Sequence, residues 1–206
     1  MMNDPVEMGL FSSSPSPVPE HPEMEYLKKQ CLSCQACPLC KTRNSVVFGV
    51  GPVPSNVVFV GEGPGQQEDL QGEPFVGAAG KLLDDMLGII DLSRKNTYIC
   101  NIVKCRPPNN RDPLPEEQDA CFGYLERQLT IHRPRIIVCL GRIAAMRLIR
   151  PDFRITKEHG TWTERNGVWY TAMYHPSALL RDPSKRPDTF TDLLSLRDKI
   201  QSLSLL

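Results

Sequence analysis

The chain has 206 residues, with 24 basic and 24 acidic side chains and eight cysteines. A net charge of zero excludes a global basic field, so contact with nucleic acid has to come from a local patch. No apolar run approaches the length of a membrane span, and the start of the chain lacks a basic segment followed by an apolar core. The expectation is a soluble, cytoplasmic protein with no membrane partner.

Residues 1–23 contain SSSPSPVPEHPE and little apolar material. They cannot bury a core and predict a disordered tail. Residues 24–206 then form one domain. A short helix is predicted from Met24 to Leu32, leading into Cys31, Cys34, Cys37 and Cys40 at intervals of three. In a chain of this size without a secretory leader, ligation is a better reading of the cysteines than disulfides. Thiolates at this spacing can wrap one metal or cluster, because a two-residue gap lets the backbone curl round the sulfurs. Zinc is the second reading of the run. Cys105 and Cys121 lie further on, while Cys100 and Cys139 fall inside apolar runs and read as small core residues.

Ser45–Gly49 reads as an edge strand. Val57–Val60 is an apolar run short enough for one buried strand, and it breaks at Gly61-Glu62-Gly63-Pro64-Gly65. Glu68, Asp69 and the stretch GEPFVG follow, and a helical pattern resumes from Ala78 to Leu87. Strand, glycine-rich loop and helix are where an open α/β sheet holds its ligand; the plain alternative is a connecting loop rich in turn residues.

Thr97–Lys104 predicts a second strand with a polar amide, Asn101, among apolar neighbours; Pro107 and Pro108 stop it. Such an amide is either a structural tie or a reader of a ligand edge. Leu114–His132 predicts a helix with Pro115, Glu116 and Glu117 in its first turn. Arg135–Leu140 is a third strand, followed by a helix from Gly141 through Ile149. Val168–Tyr174 is a fourth, ending at HPSALLR, and Thr189–Leu203 closes the chain as a helix. Alternating strands and helices predict an α/β fold, three-layer α/β/α with a central, mainly parallel four-stranded sheet.

The strand ends GEGPG, CNIVKC and HPSALLR converge at one rim of such a sheet. They bring together Glu62, Glu68, Phe75, Asn101 and His175, a set that suits a planar, hydrogen-bonding heterocycle. Lys104, Arg106, Arg111, Arg181, Lys185 and Arg186 flank the same ends as candidate phosphate contacts.

The segments ACPL with VVFG, VVFVGEGPGQQED, GEPFVGAAGKLL, NIVKCRPPNNR and HPSALLR closely resemble the iron–sulfur type (family 4) of uracil-DNA glycosylase. The resemblance runs over about residues 31 to 200. It implies a DNA-repair enzyme that cleaves the N-glycosidic bond of uracil in DNA, works as a monomer and carries a [4Fe–4S] cluster. It implies Cys34, Cys37, Cys105 and Cys121 as the cluster ligands, with Cys31 and Cys40 surplus; four consecutive thiols remain a chemical alternative. It further implies Phe75 stacking on uracil, Asn101 pairing with the uracil edge, and the Glu62-Gly63 turn near uracil O2. Glu68 would refuse the thymine methyl, and His175 would stabilise charge on the leaving base. Leu179 would be a wedge into the DNA stack, and Arg181 a DNA contact. Where the best-known branch of the superfamily has a water-orienting Asp, this chain has Gly63, which leaves Glu62 as the candidate. The alternatives are a catalytically silent, cluster-bearing DNA-binding module and a nucleotide-binding protein with structural zinc.

Overall fold

The architecture is given by a computed structural model, which describes residues 21–205. The expected tail lies outside them except for its last residues, of which Pro22 and Glu23 open a helix. Five strands form one sheet: β1 (Val57–Gly61), β2 (Tyr98–Asn101), β3 (Ile136–Leu140), β4 (Thr163–Arg165) and β5 (Val168–Met173). Their order is β2-β1-β3-β5-β4. The first four neighbours pair in parallel, and β4 pairs antiparallel with β5, Thr163 facing Tyr170. The sheet thus has one more strand than expected. β4 escaped notice because three polar residues carry no hydrophobic period.

Around the sheet run the helices α1 (Pro22–Leu32), α2 (Gln66–Gln71), α3 (Ala78–Gly88), α4 (Pro115–His132), α5 (Arg142–Leu148), α6 (Ile155–Glu158), α7 (Pro176–Arg181) and α8 (Arg186–Ser202). Strand alternation divides the core. Val58 and Val60 of β1 face Met24 and Leu27 of α1, Leu125 of α4 and Ala144 of α5. Val57 and Phe59 face Leu83 and Leu87 of α3, Leu179 of α7 and Leu196 of α8. This is the three-layer arrangement, with the central strands buried on both faces.

Local signals account for the helix ends. Pro115 occupies the first turn of α4, and the Glu117 carboxylate accepts from Leu114 N at 2.8 Å, satisfying one open donor. Asp69 of α2 is buried and accepts from the backbone of Asn44 (2.9 Å) and Ser45 (3.3 Å), fastening the cysteine-bearing segment to the first loop. Ser45–Gly49 is not a strand. Val47 donates to Lys104 O at 2.8 Å, and Val50 makes an isolated antiparallel bridge with Ile99 along the outer edge of β2. Among the described residues no helix is long and apolar enough to cross a membrane.

Candidate active site

The carboxyl ends of β1, β2, β3 and β5 open into a cleft of about 470 Å³. Glu62, Gly63, Glu68, Phe75, Asn101, His175 and Arg181 all line it, so seven of the predicted site residues are brought together.

Asn101 ends β2 opposite Gly61 in the sheet register. It is only 1% exposed, yet its Oδ1 has no hydrogen-bond partner among the described residues. A buried acceptor left open faces a cost of about 1–3 kcal/mol unless a ligand satisfies it. Gly61 creates the room: a Cβ there would lie 2.4 Å from Asn101 Oδ1 and 2.7 Å from Phe75 Cζ.

Phe75 sits in the left-handed region at φ 56°, a costly place for an aromatic residue. Two neighbours hold it. The Arg94 guanidinium donates to Pro74 O at 2.9 Å and to Phe75 O, and forms an ion pair with Asp84 at 2.8 Å. Gly80 lets α3 close onto the Phe75 carbonyl, where a Cβ would be 1.7 Å away. The Phe75 ring lies 5.5 Å from the His175 ring, centroid to centroid. Glu68 accepts from Val76 N and Gly77 N, both at 2.9 Å, so its carboxylate also ties the Phe75 loop to the start of α3.

His175 precedes α7 and caps it: its Nδ1 accepts from Ser177 N at 3.1 Å, with the Ser177 hydroxyl at 2.8 Å. An Nδ1 that accepts from a backbone N–H places the ring proton on Nε2. Burial, and then the Arg181 charge, push the imidazole pKa down to about 4, with Glu68 opposing. The ring is therefore a neutral N–H donor at neutral pH, with its Nδ1 occupied.

Glu62 lies in the same cleft. Burial first, and the nearby Asp112 carboxylate second, raise its pKa to about 7, while Arg142 and Arg181 pull the other way. Asp112, whose charge acts on Glu62, pairs with Arg142 at the start of α5. A carboxyl group poised near neutrality is suited to take a proton.

The other predicted positions divide. Leu179 is 2% exposed and packs in the core beneath α7. Its side chain faces the core rather than the surface expected of a wedge into DNA. Its neighbour Leu180 is 43% exposed. Lys104 is also buried and is not a phosphate contact, while Arg111 forks onto Glu117 at 2.7 and 2.8 Å. Arg94, Asp112, Arg142 and Ser177 were missed. Only Ser177 carried a signal, since a hydroxyl two residues after a helix-capping side chain commonly bonds it.

Cys34, Cys37, Cys105 and Cys121 share a second, small pocket with Cys31, Cys40, Arg43 and Lys104. Arg43 donates to Cys105 Sγ at 3.2 Å and to Cys34 O at 2.8 Å, and Lys104 N donates to Cys121 Sγ at 3.3 Å. Among the described residues no acidic side chain lines this pocket. Burial pushes the Cys105 thiol up to about 11, against the pull of Arg43, and Cys31 up to about 12. Cys100 and Cys139 are buried in β2 and β3, as expected of core residues. No group of three or more His, Cys, Asp or Glu side chains among the described residues is gathered for a single metal ion.

The family model of the uracil DNA glycosylase superfamily matches residues 48–196. The chain is similar to the type-4 uracil-DNA glycosylase of Archaeoglobus fulgidus, 46% identical over 179 residues that cover 82% of this chain and 89% of the relative. It matches the Thermotoga maritima type-4 enzyme at 46% identity over 165 residues, 78% of this chain and 85% of the relative. The Sulfurisphaera tokodaii type-4 enzyme is 41% identical over 184 residues, covering 85% of this chain and 84% of its own length. With the family model matched over residues 48–196 and relatives at 41–46% identity over most of its length, the chain belongs to the uracil-DNA glycosylase superfamily.

Proposed function

We propose that this protein excises uracil from DNA by hydrolysing the N-glycosidic bond and leaves an abasic site. The observation that carries the reading is the open Oδ1 of Asn101, buried at the floor of a cleft between an aromatic ring and a neutral imidazole donor. A carboxamide there accepts from uracil N3–H and donates to O4, a pattern that cytosine, with an amino group at C4, does not match. Phe75 stacks on the flipped base. As the bond from N1 to C1′ stretches, its electron pair moves onto the uracil ring. The Nε2–H of His175 donates to O2, where that charge gathers. Glu62 orients a water toward C1′ and takes its proton as the new C–O bond forms. Arg181, at the cleft, contacts a phosphate, and Glu68 fixes the loop that would crowd a thymine methyl.

Cys34, Cys37, Cys105 and Cys121 would hold a [4Fe–4S] cluster. The fit rests on thiols facing one pocket, N–H donors aimed at two of the sulfurs, and cations with no acid among the lining residues. The cluster would supply a cross-link between the segment after α1, the end of β2 and α4. Reduced thiols and a cluster suit the cytoplasm, and the protein would act as a single chain.

An incision assay on a labelled oligonucleotide with one uracil, alongside thymine and hypoxanthine controls, tests the reading. Cleavage at uracil after alkali treatment supports it. Uncut uracil with intact DNA binding would leave the silent binding module instead.

A further inference from the structure

Lys104 is 1% exposed, and among the described residues it faces no carboxylate at ion-pairing distance; Lys185 is the lysine that has one. Its Nζ donates to Asn101 O at 2.8 Å and to Gln128 Oε1 at 2.6 Å. Gln128 is itself buried and spends its amide donor on Phe48 O and the Tyr98 hydroxyl, both at 2.9 Å. These acceptors satisfy hydrogen bonds but do not neutralise charge. A buried ammonium without a counter-charge is costly, and one that persists points to an anion at its side.

That side is the thiol pocket. Lys104 lines it, and its charge acts on Cys31 and Cys121. The same ammonium holds the main chain of the residue that reads the base. The residue therefore meets both sites: its backbone N–H donates to Cys121 Sγ at 3.3 Å, and its ammonium donates to Asn101 O at 2.8 Å.

We propose that Lys104 is a positioning residue that serves as counter-cation to the anionic cluster and couples its presence to the placement of Asn101. The inference rests on the cluster and base-reading roles proposed above. Four thiolates round an iron–sulfur core carry net negative charge, which holds the ammonium inward. The ammonium in turn holds the carbonyl at the end of β2, and so the carboxamide on the same residue. When the cluster is lost, the ammonium has no counter-charge and the strand end loses its strut.

The test uses the full, iron-loaded chain and the variants Lys104→Met and Gln128→Glu. Lys104→Met keeps the length of the stem and removes the charge. Iron release to a chelator, followed by loss of visible absorption, should quicken by about 10- to 100-fold, the usual cost of removing a partner of metal ligands. The cluster's reduction potential should move to a more negative value, because a nearby positive charge favours the reduced form. The preference for uracil over cytosine should fall. Gln128→Glu places a carboxylate on the ammonium while leaving its bond to Asn101, so the potential should again move negative with less loss of base preference. It keeps the question open to measurement if Lys104→Met does not fold. Iron present, with potential and release rate unchanged in both variants, would overturn the role of Lys104 and leave the cluster reading standing. Wild-type protein that binds zinc and no iron would overturn the cluster reading, and the inference with it.

Discussion

Gly61 and Asn101 are register partners at the carboxyl ends of β1 and β2, and the hydrogen in place of a side chain on Gly61 is what lets the Asn101 carboxamide stand in the cleft. Gly61→Ala would put a methyl 2.4 Å from Asn101 Oδ1 and 2.7 Å from Phe75 Cζ. Both groups must shift by a substantial part of an ångström. Misplacement of that order costs about 10²-fold in rate. Single-turnover excision by Gly61→Ala should fall by that factor, with about 1–3 kcal/mol of stability lost to overpacking. A rate near wild type would remove Asn101 and Phe75 from the base pocket.

The rate should depend on pH through Glu62. Its pKa of about 7 means that the carboxylate, the form able to accept a proton, is lost as pH falls below neutrality. Excision should then drop by about tenfold per pH unit on the acid side. His175, with its pKa near 4, stays neutral across this range and adds no limb. Asp112 raises the Glu62 pKa by its charge, whereas Arg142 and Arg181 lower it. Asp112→Asn should therefore move the acid limb to lower pH. Glu62→Gln should flatten it and slow the reaction. Single-turnover rates across roughly pH 5–9 would decide this, and a limb that survives in Glu62→Gln would assign it elsewhere.

His175 and Ser177 should differ in severity. Removing the Nε2–H donor in His175→Ala should cost about 10²–10³ in the chemical step. Ser177→Ala removes the hydroxyl but not the backbone N–H that sets the tautomer, so its loss should be only several-fold. Equal losses for the two variants would mean that the hydroxyl, rather than the ring, does the chemistry.

Leu179 and Leu180 separate folding from DNA binding. Leu179→Ala opens a core cavity and should cost about 2–5 kcal/mol of stability. Leu180→Ala should leave stability unchanged and slow excision from duplex more than from single-stranded DNA, where less stacking has to be broken. Arg181→Ala should flatten the salt dependence of DNA binding. Equal effects of Leu180→Ala on the two substrates would exclude it as a wedge.

Arg94 should act through Phe75. Its fork spans the carbonyls of Pro74 and Phe75, and each bond is worth about 1 kcal/mol. Arg94→Ala should raise KM on the order of tenfold. Arg94→Lys should not rescue it, because a single ammonium cannot reproduce the planar fork. Full rescue by lysine would show that only charge matters at this position.

The parts legible in the sequence are those with a hydrophobic period or a dense motif. Val57–Val60 and Arg135–Leu140 show up as strands because parallel strands buried on both faces are continuous apolar runs. The same rule overextended β2. Ile102 and Val103 are buried, but beyond Asn101 the chain leaves the strand, bonding to Gly61 O at 2.9 Å and Glu62 O at 3.1 Å as it turns away. The polar α2 and β4 left no period to find. At the wedge, a motif identifies α7 but not which of two adjacent leucines faces water; helix register decides that. Arg94 and Asp112 act on groups brought near only by folding, so no spacing announces them.

Both margins of the sheet are guarded. At one, β4 has three residues, too few to template another chain. At the other, Val50 exchanges hydrogen bonds with Ile99 at 2.8 and 3.0 Å, capping β2 where it would otherwise present a bare row of donors and acceptors. A sheet so finished resists edge-to-edge polymerisation. Disturbing the short segment around Val50 would first be felt as insolubility at high concentration, before any loss in the chemistry of the cleft.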